Sequence, residues 1–306
     1  MDSFTAKIKE LRPALATSSI KTYNNILKNI FYDLNNKDVE TNYIYFIENI
    51  DAILFHLDKI KPSIRKTYLS ALVVISQENI EIQRRYRELM MKDSSEYNAI
   101  QKTHIMTDSQ KENWISWKEV EDTLGKLKKQ YNYLFKEKNP SKEDFYNLQK
   151  YIILSVYVLI PPRRALDYTC MKTCLKFDTK TDNYYLKGNF FFNNYKTSKF
   201  LGLQYIKVPK QLETLLKKWI SLHNNEYLFT QMDGKPFDGG GWTKVLNSIF
   251  KKNISVNQLR HIYITEKCNP MIVKLQETAN DMAHSTNMQQ QYVKIIEPTI
   301  ESMVGC

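Results

Sequence analysis

A mainly helical chain carrying one small antiparallel β-sheet (α+β), divided into two domains, is what this sequence predicts. Three observations predict it. Apolar residues recur every three or four positions through residues 18–91 and again after Pro209, the spacing of helices with one buried face. Between residues 183 and 209 the period shortens and turn residues appear, the signature of short strands. Residues 103–113, Thr-His-Ile-Met-Thr-Asp-Ser-Gln-Lys-Glu-Asn, are polar and aperiodic, so they read as a linker between domains at 1–102 and 114–306.

The elements follow in order. Ser18 to Phe31, Ile50 to Leu57 and Ser63 to Ile75 each read as amphipathic helices, with Pro62 placed to start the last of them. Ile80 to Met91 reads as a further helix with one strongly charged side. Past the linker, Ser116 and Glu119 have the spacing of a capping box. Ser141 to Ile160 reads as a long helix halted by Pro161-Pro162. Residues 183–194 and 202–209 supply the strands, with turns at Lys187-Gly188 and Lys196–Lys199. Helices return at Gln211–His223, Trp242–Lys252, Asn257–Lys267 and Pro270–Met282, with Asp238-Gly-Gly-Gly241 expected as a flexible loop.

Composition narrows the function. Apolar content of 42% and charged content of 25% over 306 residues are those of a folded chain. The net charge of +11 is unevenly placed: residues 161–260 hold 17 Lys/Arg against 7 Asp/Glu, while the first hundred nearly balance. Such a concentration suits neutralisation of nucleic-acid phosphates. Four scattered cysteines do not make a disulfide framework, and Cys170 with Cys174 lacks a second pair at zinc spacing. An intracellular, reducing compartment is expected, without signal peptide or membrane span. No metal or other cofactor is expected, since phosphate-loop, His-Glu-x-x-His and two-metal carboxylate patterns are absent from the sequence.

Five pieces of sequence carry chemistry: Pro161-Pro-Arg163-Arg164-Ala-Leu-Asp167, Tyr195-Lys196-Thr-Ser-Lys199, Asn257-Gln-Leu-Arg260-His261, Met282-Ala-His284-Ser285 and Gln289-Gln-Gln-Tyr292. Their order and spacing resemble the tyrosine recombinase (phage integrase) family over residues 114–296, and residues 1–100 resemble its helical core-binding domain in general pattern. The resemblance implies a catalytic domain that, with the first domain, clamps opposite faces of duplex DNA. It implies site-specific recombination or integration through a 3′-phosphotyrosyl intermediate, without ATP. Tyr292 is then the nucleophile, eight residues after His284, one fewer than is usual in that family.

Arg260 and one of Arg163 or Arg164 are expected to grip the scissile phosphate, because a guanidinium forks onto phosphate and stays charged. Asp167 lies three residues beyond Arg164, as an acidic residue does in that family. Arg164 is chosen on that ground, and Arg163 is left to the DNA backbone. Lys196, with Lys199 as competitor, fits the family's general acid on a β-hairpin turn. His284 is expected to hydrogen-bond the phosphate or assist the phenol's proton. His261 is expected to support the site or the DNA contact. Asn257 departs from the family's usual histidine: an amide can hydrogen-bond a phosphate oxygen but exchanges no proton near neutral pH.

The resemblance further implies a homotetramer on paired double-stranded DNA sites, monomeric or dimeric otherwise. The apolar tail 293–306 is expected to dock on a neighbour. Two other readings are a type IB topoisomerase and a catalytically decayed DNA-binding relative. The Lys, Asn, Ile and Tyr bias, with the form of the first motif, suggests a eukaryotic DNA virus or mobile element, acting in host cytoplasm or nucleus.

Overall fold

The computed structural model describes residues 3–35, 40–137, 140–173 and 176–292. The chain is mainly α-helical with one three-stranded antiparallel sheet, as its periodicities predict. It forms two compact units, residues 1–106 and 107–306.

The first unit contains α1 (Ser3–Leu11), α2 (Thr17–Leu34), α3 (Tyr45–Glu48), α4 (Ile50–Leu57), α5 (Pro62–Ile75) and α6 (Ile80–Lys102). Its core gathers Phe4, Phe31 and Phe46, with Phe4 edge-on to the other two at centroid distances of 5.9 and 5.4 Å. This arrangement sets positive ring edges against negative faces. Between α5 and α6, Arg65 grips the fully buried Asp93 with two 2.8 Å bonds. Helix α6 outruns its predicted end at Met91, its extension being tied to α5 through the buried Asp93.

The second unit contains α7 (Asp108–Glu112), α8 (Trp117–Tyr131), α9 (Lys142–Leu159) and α10 (Leu166–Thr169), then β1 (Tyr184–Leu186), β2 (Asn189–Phe192), α11 (Ser198–Leu201) and β3 (Gln204–Lys207). Helices α12 (Lys210–His223), α13 (Gly239–Phe250), α14 (Val256–Tyr263), α15 (Asn269–Asp281) and α16 (Thr286–Tyr292) follow. Helix α9 is the centre of this unit: Tyr151 to Tyr157 are buried without interruption. Three hydrogen bonds lock it to distant chain. Gln149 exchanges a pair of hydrogen bonds with the backbone of Thr230, and the Trp242 indole donates to the Tyr157 hydroxyl at 2.8 Å.

Strand order is β1-β2-β3, with Tyr184 opposite Phe191 and Phe191 opposite Tyr205. Because side chains alternate across a sheet, Phe190 and Phe192 enter the core while Phe191 and Tyr205 line the outer face.

Within the segment 103–113, α7 forms, closed by a capping box between Thr107 and Gln110. One expectation is corrected. Asp238-Gly-Gly-Gly241 is not a loop but a helix start, since Asp238 accepts a hydrogen bond from the Gly241 amide and caps α13. A side-chain cap offsets the poor helix propensity of three glycines.

Candidate active site

Pro161 and Pro162 cannot extend α9, so the chain leaves the core directly behind its most buried helix. That exit places Arg163, Arg164 and the single turn α10 beside the end of β2. Arg163 donates from Nε to Asp167 Oδ2 at 2.7 Å and from Nη1 to Gln204 Oε1 at 3.1 Å. Its guanidinium lies 3.9 Å from the Phe192 ring centre and 5.4 Å from that of Tyr195. Asp167 therefore pairs with Arg163, not with Arg164 as the three-residue offset suggests. A short turn such as α10 brings residues four apart together, and Arg163 is thereby turned inward.

Asp167 is 2% exposed, and its Oδ1 has no hydrogen-bond partner among the described residues. Burial pushes its carboxyl above the usual range, opposed by Arg163 first and then by Arg164 and Arg260. Arg260 comes from α14, which starts at a Ser255 cap bonded to the Gln258 amide. Its pKa is depressed, chiefly by burial and next by the charge of Arg164, while Asp167 opposes the fall. Arg164 is half-buried, and its guanidinium makes no hydrogen bond or ion pair among the described residues. The charges of three arginines thus act on one carboxylate, only Arg163 being bonded to it, and a surplus of positive charge remains. Such a surplus is complementary to a phosphodiester, and two forks, Arg164 and Arg260, retain donors for it.

Asn257 lies on α14 one turn before Arg260 and is exposed, as is His261. Lys196 is exposed in the turn after β2, and Lys199 is exposed on α11. The Tyr195 hydroxyl closes this turn by donating to the Gly202 carbonyl at 2.7 Å. Gly202 has φ +64°, a conformation that costs a residue with a side chain more.

His284 and Tyr292 form a second group. Their ring centres are 5.5 Å apart. Helix α15 ends as the His284 amide donates to the Ala279 carbonyl at 3.0 Å, with Ala283 at φ +56°, a left-handed closure. His284 Nδ1 lies 3.2 Å from the Ser285 carbonyl, and its Nε2 is buried without a partner among the described residues. The Tyr292 ring is exposed.

The two groups are not joined. No hydrogen bond, ion pair or ring contact among the described residues links His284 or Tyr292 to Arg163, Arg164, Arg260 or Lys196. From α14 the backbone stays helical through a π-turn at Ile264–Cys268 and on along α15. The 21 steps from Arg260 to Asp281 advance about 30 Å along a helix axis. The π-turn is tied to α8 by Glu266, which accepts from the Trp117 amide at 2.7 Å, and by the Lys267–Glu121 ion pair. Beyond it α15 buries only Ala279 and leaves Met271, Ile272 and Leu275 exposed. The tail 293–306 lies outside the described residues, as does Cys174. Gln204 and Tyr157 also belong to the site's surroundings, and no local motif marks them.

Among the described residues no cluster of three or more His, Cys, Asp or Glu is placed to hold a metal ion, and no helix is long and apolar enough to cross a membrane. No family model and no curated protein matches the chain. Among solved structures it is similar to XerA recombinase, at 13% identity and a TM-score of 0.32, covering 98% of this chain and 97% of that one. It is likewise similar to XerH site-specific recombinase bound to difH substrate in a pre-cleavage complex. There the identity is 12% and the TM-score 0.40, over 99% of this chain and 94% of that one.

Proposed function

We propose that this chain is a DNA strand-exchange enzyme of the tyrosine recombinase type, acting on double-stranded DNA as a homotetramer on paired sites. The observation that carries this reading is that Arg164 and Arg260, near enough for their charges to interact, lie by the Arg163–Asp167 pair. Two forks with unused donors and mutually repelling charges suit an anion, and in this basic domain the fitting anion is a backbone phosphate.

The proposed step is a transesterification. The Tyr292 oxygen attacks phosphorus, the bond from phosphorus to the 5′-oxygen breaks, and the 3′-phosphate stays on the phenol. His284 receives the phenolic proton, and Lys196 supplies one to the departing 5′-oxygen. Arg164 and Arg260 hold the non-bridging oxygens as charge builds on them. Arg163 acts through Asp167 as a positioning residue, and Asn257 offers an amide to the same phosphate. The new ester conserves the energy of the old one, so a second 5′-hydroxyl reverses the step without ATP. Cleavage requires the segment beyond α14 to reach an arginine group, its own or that of a second chain.

Suicide DNA substrates test this reading. The native protein should form a covalent adduct at Tyr292, and Tyr292→Phe should bind DNA equally well and form none. DNA binding without adduct from the native protein would leave a DNA-binding relative only. Adducts accompanied by relaxation of supercoils without a partner site would favour a topoisomerase.

A further inference from the structure

The turn joining β2 to β3 exposes an apolar tip. Phe200 is 87% exposed, and Leu201, Leu203 and Tyr205 are exposed by more than half. Single exposed apolar residues are ordinary, but a contiguous set has a partner. The tip's electrostatic setting identifies it. Residues 189–212 contain Lys196, Lys199, Lys207 and Lys210 and neither Asp nor Glu. A partner with an apolar interior and a negatively charged rim fits this surface, and duplex DNA has both, base stack within and phosphates without.

The tip is also stiffly mounted. On the outer face of the sheet Phe177 stacks on Tyr184 at 4.2 Å, Tyr184 on Phe191 at 4.7 Å, and Phe191 lies 6.3 Å from Tyr205. The Tyr195–Gly202 bond ties the base of the turn. A side chain on such a mount can transmit force to what it meets.

We propose that Phe200 is a wedge that enters the minor groove and partly unstacks one base step, with Lys199 and Lys207 on the flanking phosphates. The proposal rests on the DNA reading above and adds to it a residue that selects sequence. Apolar side chains inserted between base pairs unstack and kink the duplex, and pyrimidine–purine steps yield most easily. Phe200 stands four residues from Lys196, so the loosened step would adjoin the phosphate being cut. Sites should therefore carry a TA or CA step there.

The test uses the full chain with Tyr292→Phe, so that no strand is cut, and duplexes that this protein enriches from a random pool. 2-Aminopurine is placed at each position of a recovered duplex in turn. Fluorescence should rise several-fold at one step only. Adding Phe200→Ala should abolish the rise and weaken binding by about 5- to 150-fold, while Phe200→Trp should keep both. Equal fluorescence and affinity with and without Phe200 would overturn the wedge and leave the DNA reading intact. Loss of self-association in Phe200→Ala by sedimentation, with fluorescence unchanged, would overturn it in favour of a second copy of the chain as partner. Failure to enrich any duplex would overturn the DNA reading and the wedge with it.

Discussion

Asp167→Ala isolates what holds the arginines together. In the native protein the Asp167 carboxylate is 2% exposed and accepts from Arg163 at 2.7 Å. Removing one member of a buried pair costs about 3–5 kcal/mol, because the other charge is left unpaired. The Arg163 side chain keeps 18% of its exposure and Gln204 still accepts from it, so the lower end applies, about 3 kcal/mol. In a unit of this size each kcal/mol moves the melting temperature by about 2–4 °C. The transition of residues 107–306 should therefore fall by about 6–12 °C. With the carboxylate gone, three arginines face one another unopposed, and an added dianion should bind among them. Thermal unfolding of the full chain, with and without sulfate, measures both effects. Sulfate should restore a larger share of stability to the variant than it adds to the native protein. A fall under about 2 °C, or equal response to sulfate, would refute the claim that Asp167 and the arginines form one electrostatic unit.

Two further predictions concern the same domain. Arg260→Ala should slow adduct formation by about 100- to 1000-fold, the loss expected on removing one transition-state donor, while DNA affinity in a mobility-shift assay changes far less. An unchanged rate would place the phosphate elsewhere. His223 lines a cavity of about 320 Å³ with Phe145, Tyr146 and Gln149, and burial lowers its pKa from 6.5 to about 4. Above pH 6.5 the ring is neutral folded or unfolded. As pH falls towards 4 only the unfolded chain gains the proton, so stability should drop by about 2 kcal/mol after allowance for the ring's partial exposure. Urea titrations at pH 7 and pH 4.5 should show this drop in the native protein and lose it in His223→Phe.

Much of the fold is legible in the sequence because it rests on local signals. Helix α9 begins at a serine cap and ends at a proline pair, and the β1–β2 hairpin turns at Lys187-Gly188, both at positive φ. Helix α7 is harder to read: it buries no residue, so it leaves no apolar period, and its signal is the Thr107–Gln110 cap. The partner of Asp167 illustrates a deeper limit. Residue types and spacing bring Arg163, Arg164 and Asp167 to one place, yet the choice between the arginines depends on a single helical turn and on Gln204, 41 residues away. The separation of His284 and Tyr292 from the arginines is illegible for the same reason. A helical period describes which side of α15 is apolar and is silent on where that helix goes.

The burial of Tyr157 beside Trp242 has a chemical meaning beyond packing. Any cleft that favours attack by one phenol on phosphorus endangers itself if another phenol is in range, and Tyr157 is near enough to Arg260 for their charges to interact. Burial drives its ionisation well above the ordinary tyrosine range, and the indole hydrogen bond, which favours the phenolate, offsets only part of that rise. Tyr157 is thereby insulated, a bystander kept protonated at the edge of the proposed site. The Trp242 ring, packed edge-on against it, contributes to that insulation by excluding water.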